Sequence, residues 1–288
     1  MAFHLLAPAK HADAYGPVAS AIETIYKTYG DRVSVHDKGK FLNKFGRTEN
    51  ADDGVKTTVA KFQGTVVNET FATTNSVDKF VSTSANDTGV YVVEGHYYDG
   101  SNNLIFSSQE VTANGQTPVT LSITLCRANR MYSKLGTFAS PSETPEGVLS
   151  VYDSTVATTA PSGVPSDATA VKLIYDGAGG RQQTEKCASS VSSTDYFIIT
   201  EVYASVTRAG PVNAKVDIEV EYRQVGGIFR PLGLELNVDQ AVSGYMHDEM
   251  NPPLIVPKNS DFRMVATSDT NDTFVAGYVN GWSATIIG

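Results

Sequence analysis

From Lys215 to Gln224 the chain reads KVDIEVEYRQ, with Val216, Ile218, Val220 and Tyr222 on one side and Asp217, Glu219, Glu221 and Arg223 on the other. A period of two belongs to an extended strand, whose successive side chains point to opposite faces, and not to a helix. After Val66 the same texture recurs in VDKFVSTS, GVYVVEGHYY, NLIFSSQEVT, TPVTLSITL, GVLSVYD and AVKLIYD, each closed by Gly, Asn, Asp, Ser or Pro. The Asp99-Gly100 step followed by Ser101 and Asn102 marks a hairpin turn.

Two polar stretches interrupt the strands, one from Ser154 to Thr169 and one from Gly177 to Ser193. A chain of 288 residues accommodates two ordinary cores, and the second stretch is taken as the boundary between them. Beyond it at least six further strands fit an antiparallel sandwich or jelly roll. The segment PPLIVPKNSDFRMVA is read as a turn feeding one of the last long strands, because proline cannot serve a central ladder. The predicted fold is mainly β, with tandem antiparallel β-sandwich or jelly-roll domains and a short N-terminal helical arm. The boundaries fall at 1–65 for the arm, 66–185 for the first β domain and 186–288 for the second.

The arm contains the one helical pattern: Val18, Ile22, Ile25, Tyr26 and Tyr29 recur at helical spacing after Gly16-Pro17, and Gly30 supplies a stop. Residues 31–64 are polar and irregular, and Lys38, Lys40, Lys44 and Arg47 gather there around Phe41 and Phe45. A basic, aromatic loop in an acidic protein is suited to an acidic partner surface. The candidate interface therefore comprises Val18, Ile22, Ile25, Tyr26, Tyr29, Lys40, Phe41, Lys44, Phe45 and Arg47.

A formal charge of −9 argues against direct nucleic-acid binding, which rests on Lys and Arg displacing counterions. No apolar run reaches the roughly 20 residues of a membrane helix, and the first residues lack a signal-peptide pattern. Cys126 and Cys187 stand far apart without a CxxC, which predicts two buried free thiols. No cofactor or metal is expected, since the five histidines are scattered and His247-Asp248-Glu249 has no second ligand pair. The carboxylates of 217–221, about 7 Å apart along a strand, match the spacing of an inverting glycosidase. They share one sheet face with no enclosing aromatics, so a wet face or an interface rim is the stronger expectation. Fourteen tyrosines keep glycan binding open as an alternative.

Four phrases carry a resemblance: NKFGRTENADDG, then SANDTGVYVVEGHYYDGSNNLIFSSQEVTANGQTPVTLSITLCRANRMY, then FIITEVYASVTRAG, then LIVPKNSDFRMVATS. Together they resemble structural proteins of tailed bacteriophages, especially those of aquatic bacteria, over Phe41 to the C-terminus. The resemblance implies a non-enzymatic virion component assembled in the host bacterial cytoplasm, most similar to a head-associated or capsid decoration protein. It further implies a homo-oligomer, with a trimer favoured, that contacts the major capsid protein through its arm and β domains. A tail or adaptor component that binds a host glycan is the alternative, and a glycan-degrading enzyme ranks below both.

Overall fold

The structure is a computed structural model that describes residues 33–34, 41–62, 68–134, 145–158, 162–177, 183–208 and 213–286. Among the described residues the first three strands are β1 (Val33–Ser34), β2 (Phe41–Ala51) and β3 (Lys56–Thr58). Seven follow: β4 (Val77–Ser82), β5 (Val90–Tyr98), β6 (Leu104–Thr112), β7 (Val119–Leu125), β8 (Arg127–Ser133), β9 (Val148–Asp153) and β10 (Val171–Asp176). The last seven are β11 (Ala188–Val191), β12 (Asp195–Arg208), β13 (Lys215–Gln224), β14 (Arg230–Asp239), β15 (Tyr245–Val256), β16 (Ser260–Ser268) and β17 (Thr273–Ile286). The helix predicted between Val18 and Tyr29 lies outside the described residues.

Strand pairing sorts these elements into two units, each a pair of antiparallel sheets. Strands β4 to β10 form the sheets β10-β9-β4-β7 and β6-β5-β8. The other unit consists of β2-β17-β12-β15, with β1 also on β17, facing β3-β16-β13-β14, with β11 also on β16. The units are therefore not in tandem as the sequence predicts: the first is inserted between β3 and β11 of the second. Its two ends run side by side as a stem, where Cys187 N–H donates to Val59 O at 2.9 Å and Lys61 N–H donates to Glu185 O at 2.8 Å.

The loop expected around Phe41 and Phe45 is instead the eleven-residue strand β2, paired with β17 from Phe41↔Trp282 to Ala51↔Thr273. Its alternation is Leu42, Lys44, Gly46 and Thr48 against Asn43, Phe45, Arg47 and Glu49, and a lysine and a glycine in the inward row conceal the pattern. Gly46 is required there, since a Cβ would sit 2.0 Å from Val59 O and 2.4 Å from Cys187 N. The glycine thus lets β2 press against the stem.

In the C-terminal unit Val202, Ala204 and Val206 of β12 and Val275 and Val279 of β17 share one core with Val216, Ile218 and Val220 of β13. The opposing sheet adds Phe262, Met264 and Ala266 of β16. Phe197 and Phe262 stack across the layers with centroids 5.0 Å apart. The inserted unit has its own core around Phe80, Tyr91 and Tyr175. Phe80–Tyr91 and Tyr91–Tyr175 centroid separations are 5.3 and 6.1 Å.

Because Phe262 is fully buried at the centre of the inter-sheet contact, Phe262→Ala should lower unfolding free energy by about 3–5 kcal/mol. Urea unfolding followed by circular dichroism measures this, and a loss below about 1 kcal/mol, the worth of roughly one buried methylene, would contradict the stacking role.

Candidate functional site

The seam between the two units is a set of buried ion pairs. Arg127 of β8 grips Asp261 of β16 side-on, Nε to Oδ1 at 2.7 Å and Nη2 to Oδ2 at 3.1 Å. Asp261 is wholly buried and also accepts from Ser190 Oγ at 2.6 Å and Arg223 Nε at 3.1 Å. The Arg127 guanidinium further donates to Ala72 O and to the Tyr98 hydroxyl, and the Phe71 ring lies beneath it at 5.1 Å. A second pair, Lys186 and Glu69 at 2.8 Å, is buried on both sides, with Lys186 Nζ also donating to Ala128 O and Lys172 O. Taking such charges out of water is costly unless every donor and acceptor is matched, as these are.

Lys44 belongs to this seam. Its Nζ donates to Asn129 O at 3.0 Å beside a cavity about one water in size, lined also by Arg130, Gln183, Thr184 and Lys186. Burial, only partly offset by Glu94, pushes its pKa from 10.5 to about 7, and Arg130 and Lys186 push the same way. Nearby, burial holds His96 down to about 3, so its neutral ring bonds Asn129 Nδ2 at 2.8 Å and Ser192 Oγ at 3.3 Å. Cys187, also buried, is pushed up to about 12; as an un-ionised thiol it donates to Lys44 O at 3.2 Å. Both thiols are free and buried.

The outer face of the sheet β2-β17-β12-β15 is a different surface. Register sets His247, Tyr203, Tyr278 and Phe45 in one cross-strand row, and Glu249, Glu201, Asn280 and Asn43 in the next. The Tyr203 and Tyr278 rings stack at 5.1 Å, and Tyr245, 56% exposed, ends the stack 6.3 Å from Tyr203. Glu201 accepts from His247 Nε2 at 2.7 Å, Tyr278 OH at 2.8 Å and Asn280 Nδ2 at 2.5 Å. Burial alone would raise the Glu201 pKa, but the bonds from Asn280, Tyr278 and His247 outweigh it and hold the carboxylate below its ordinary value. Burial and Glu201 together push the Tyr278 phenol up to about 12.

These positions divide the sequence-predicted interface. Val18, Ile22, Ile25, Tyr26, Tyr29 and Lys40 lie outside the described residues, and Phe41 is placed by its backbone only. Phe45 and Arg47 stand on the outer face with the tyrosines, whereas Lys44 points inward, is 3% exposed and does not belong to a solvent-facing interface. Arg47 pairs with Glu185 of the stem at 2.6 Å. Sequence reasoning did not find Glu201, Tyr203 and Tyr278, although their alternation in EVYASV and AGYVNG was the available signal.

The carboxylate row of β13 is wet only at its start. Asp217 is exposed, Glu219 meets Lys56 at 2.6 Å, and Glu221, 4% exposed, bonds Lys56 at 2.8 Å and Arg263 at 2.9 Å. The ladder with β14 shifts between Glu219 and Glu221, while Arg263 is the direct cross-strand neighbour of Glu221 on β16. The face expected to be solvated is thus sealed at that end by basic residues from β3 and β16. Among the described residues, no three His, Cys, Asp or Glu side chains converge to hold a metal ion.

No family model matches the chain, and no curated protein does. Among solved structures, the infectious bursal disease virus VP2 subviral particle aligns over 90% of this chain and 73% of its own, at 10% identity and a TM-score of 0.23. The tandem CBM22 domains of Paenibacillus barcinonensis Xyn10C align over 88% of this chain and 96% of their own, at 10% identity and a TM-score of 0.21. At these TM-scores the alignments carry no argument.

Two outcomes follow from the seam. The folded state binds the Lys44 proton more weakly than the unfolded chain does, so its contribution to stability should rise with pH between about 7 and 10.5, by up to about 1.4 kcal/mol per pH unit. Lys44→Met should flatten that rise in urea melts taken across the window; an unchanged slope would show that another group produces it. Asp261→Ala leaves Arg127 buried without its partner and should cost about 3–5 kcal/mol, read as a shift of the unfolding midpoint.

Proposed function

We propose that this chain is a non-enzymatic structural component of a virion, head-associated and oligomeric, whose β units make the contacts with neighbouring shell proteins. The observation that carries this reading is the strand order of the C-terminal unit. Its eight principal strands, renumbered in chain order, run 1-8-3-6 in one sheet and 2-7-4-5 in the other. That is the double Greek key of a jelly roll, an architecture that recurs in viral capsid and lectin domains. Fold alone does not assign function, and two further features support the reading. The buried seam fastens the inserted unit to the jelly roll. The turns of the jelly roll expose Ile228 at 72% and Val242 at 83%, apolar side chains that a neighbouring protein would cover. The resemblance of the sequence to tailed-phage structural proteins from Phe41 to the C-terminus points the same way.

A second reading has a specific observation behind it: the tyrosine stack and the Glu201 hydrogen-bond cluster on an open sheet face fit a host glycan, with polar side chains orienting hydroxyls and Tyr245 as the exposed ring. Quantitative mass spectrometry of separated heads and tails distinguishes the two. Many copies on heads support the first reading, and a count equal to that of the major capsid protein would make the chain a shell subunit in its own right. A few copies confined to tails, with saturable binding on a glycan array that Tyr245→Ala abolishes, favour the second. Absence from both fractions overturns the virion assignment.

A further inference from the structure

Among the described strands β15 ends its sheet, and its first half presents a strand edge to solvent. The Val206 N–H donates to Gly244 O at 2.8 Å, and Ser205 lies opposite Tyr245. In an antiparallel ladder the bonding groups of successive residues point to alternate sides. Gly244, Met246 and Asp248 therefore turn theirs toward β12, whereas Tyr245, His247 and Glu249 turn theirs to the far edge. Tyr245 is 56% exposed, Met246 38%, and His247 is exposed as well. A strand packed inside a sandwich alternates between buried and exposed residues, so three exposed in succession mark a segment open on both faces. Strand edges are commonly blunted by lysine or proline. Tyr245 to Met250 reads YMHDEM and carries neither, and Pro252 and Pro253, which have no N–H to give, end the pairing-competent stretch.

We infer that this edge pairs with the same edge of a second copy, antiparallel, about a two-fold axis through His247. The occupant follows from self-complementarity. Residues whose bonding groups face the edge must meet one another, so the axis passes through a residue and not between two. An axis through Asp248 or Glu249 would set that carboxylate directly against its own copy, which destabilises a cross-strand pair. An axis through Tyr245 or Met246 leaves almost none of the strand paired, because β15 begins at Tyr245. Through His247, Tyr245 faces Glu249 of the second copy, a phenol against a carboxylate, and Met246 faces Asp248 of the second copy. Each His247 stays bonded to Glu201 of its own copy, Nε2 to Oε1 at 2.7 Å. The sheet β2-β17-β12-β15 then continues across the axis into that of the second copy, an isologous contact that makes a dimer where the resemblance implies a trimer. The inference deepens the oligomeric part of the reading above and rests on that part alone.

His247→Cys sets two thiols on the axis with Cα atoms about 5.5 Å apart, within disulfide range. In Glu249→Cys the two thiols stand about 14 Å apart along the strands. Mild oxidation should therefore yield a covalent dimer of the first variant on a non-reducing gel and leave the second monomeric, against a background kept low by the buried Cys126 and Cys187. Equal cross-linking of both variants overturns the pairing. Glu249→Pro removes an edge N–H without touching the ladder to β12, and by symmetry deletes two bonds from the dimer. It should weaken dimerisation by about tenfold in sedimentation equilibrium while the β-sheet circular dichroism is retained. An oligomer of the unmodified chain that Glu249→Pro leaves intact overturns the β15 contact but keeps the oligomeric reading, whereas a chain monomeric at every concentration overturns both.

Discussion

The arrangement of the whole molecule depends on one buried ion cluster, Asp261 held between Arg127 and Arg223. Arg127 belongs to the inserted unit, whereas Asp261 and Arg223 belong to the jelly-roll sheet. An unmatched charge in that position would be expelled to water, so the two units fit only in the orientation that brings the guanidinium and carboxylate into side-on register. Aromatic rings complete the enclosure: Phe71 and Phe229 lie 5.0 and 4.7 Å from the Arg223 guanidinium, and Phe229 lies 4.1 Å from that of Arg263. Apolar packing would glue the units together, but charge matching selects the angle.

The stem and strand β2 extend the same logic toward the N-terminus. Gly46 permits close approach to the stem, Arg47 reaches Glu185 across it, and Lys44 closes the gap to Asn129. Insertion of a whole β unit between β3 and β11 is tolerated because its two ends leave the jelly roll side by side as hydrogen-bonded neighbours. A closed stem of this kind lets each core form without strain on the other.

The two surfaces so built differ in kind. The seam is buried and held by ion pairs, and within it burial favours the neutral forms of Lys44, His96 and Cys187. The outer face of the sheet β2-β17-β12-β15 is partly open, and its Glu201 carboxylate is held below its ordinary pKa by hydrogen bonds from three neighbours.

The sequence by itself determined that the chain is mainly β, where most strands run, and that the alternation of KVDIEVEYRQ has an inward apolar row. Those properties are local, set by side-chain direction along a strand. It also made β2 unreadable, because an inward lysine and glycine disguise the period, and it left Glu221 looking solvated when Lys56 and Arg263 enclose it. Only the tertiary structure decided that the first β unit is inserted, that Lys44 faces the interior, and that Glu201, His247, Tyr278 and Asn280 meet. Each of these depends on pairing between strands far apart in the chain, and strand alternation specifies a face but not the neighbour that will lie beside it.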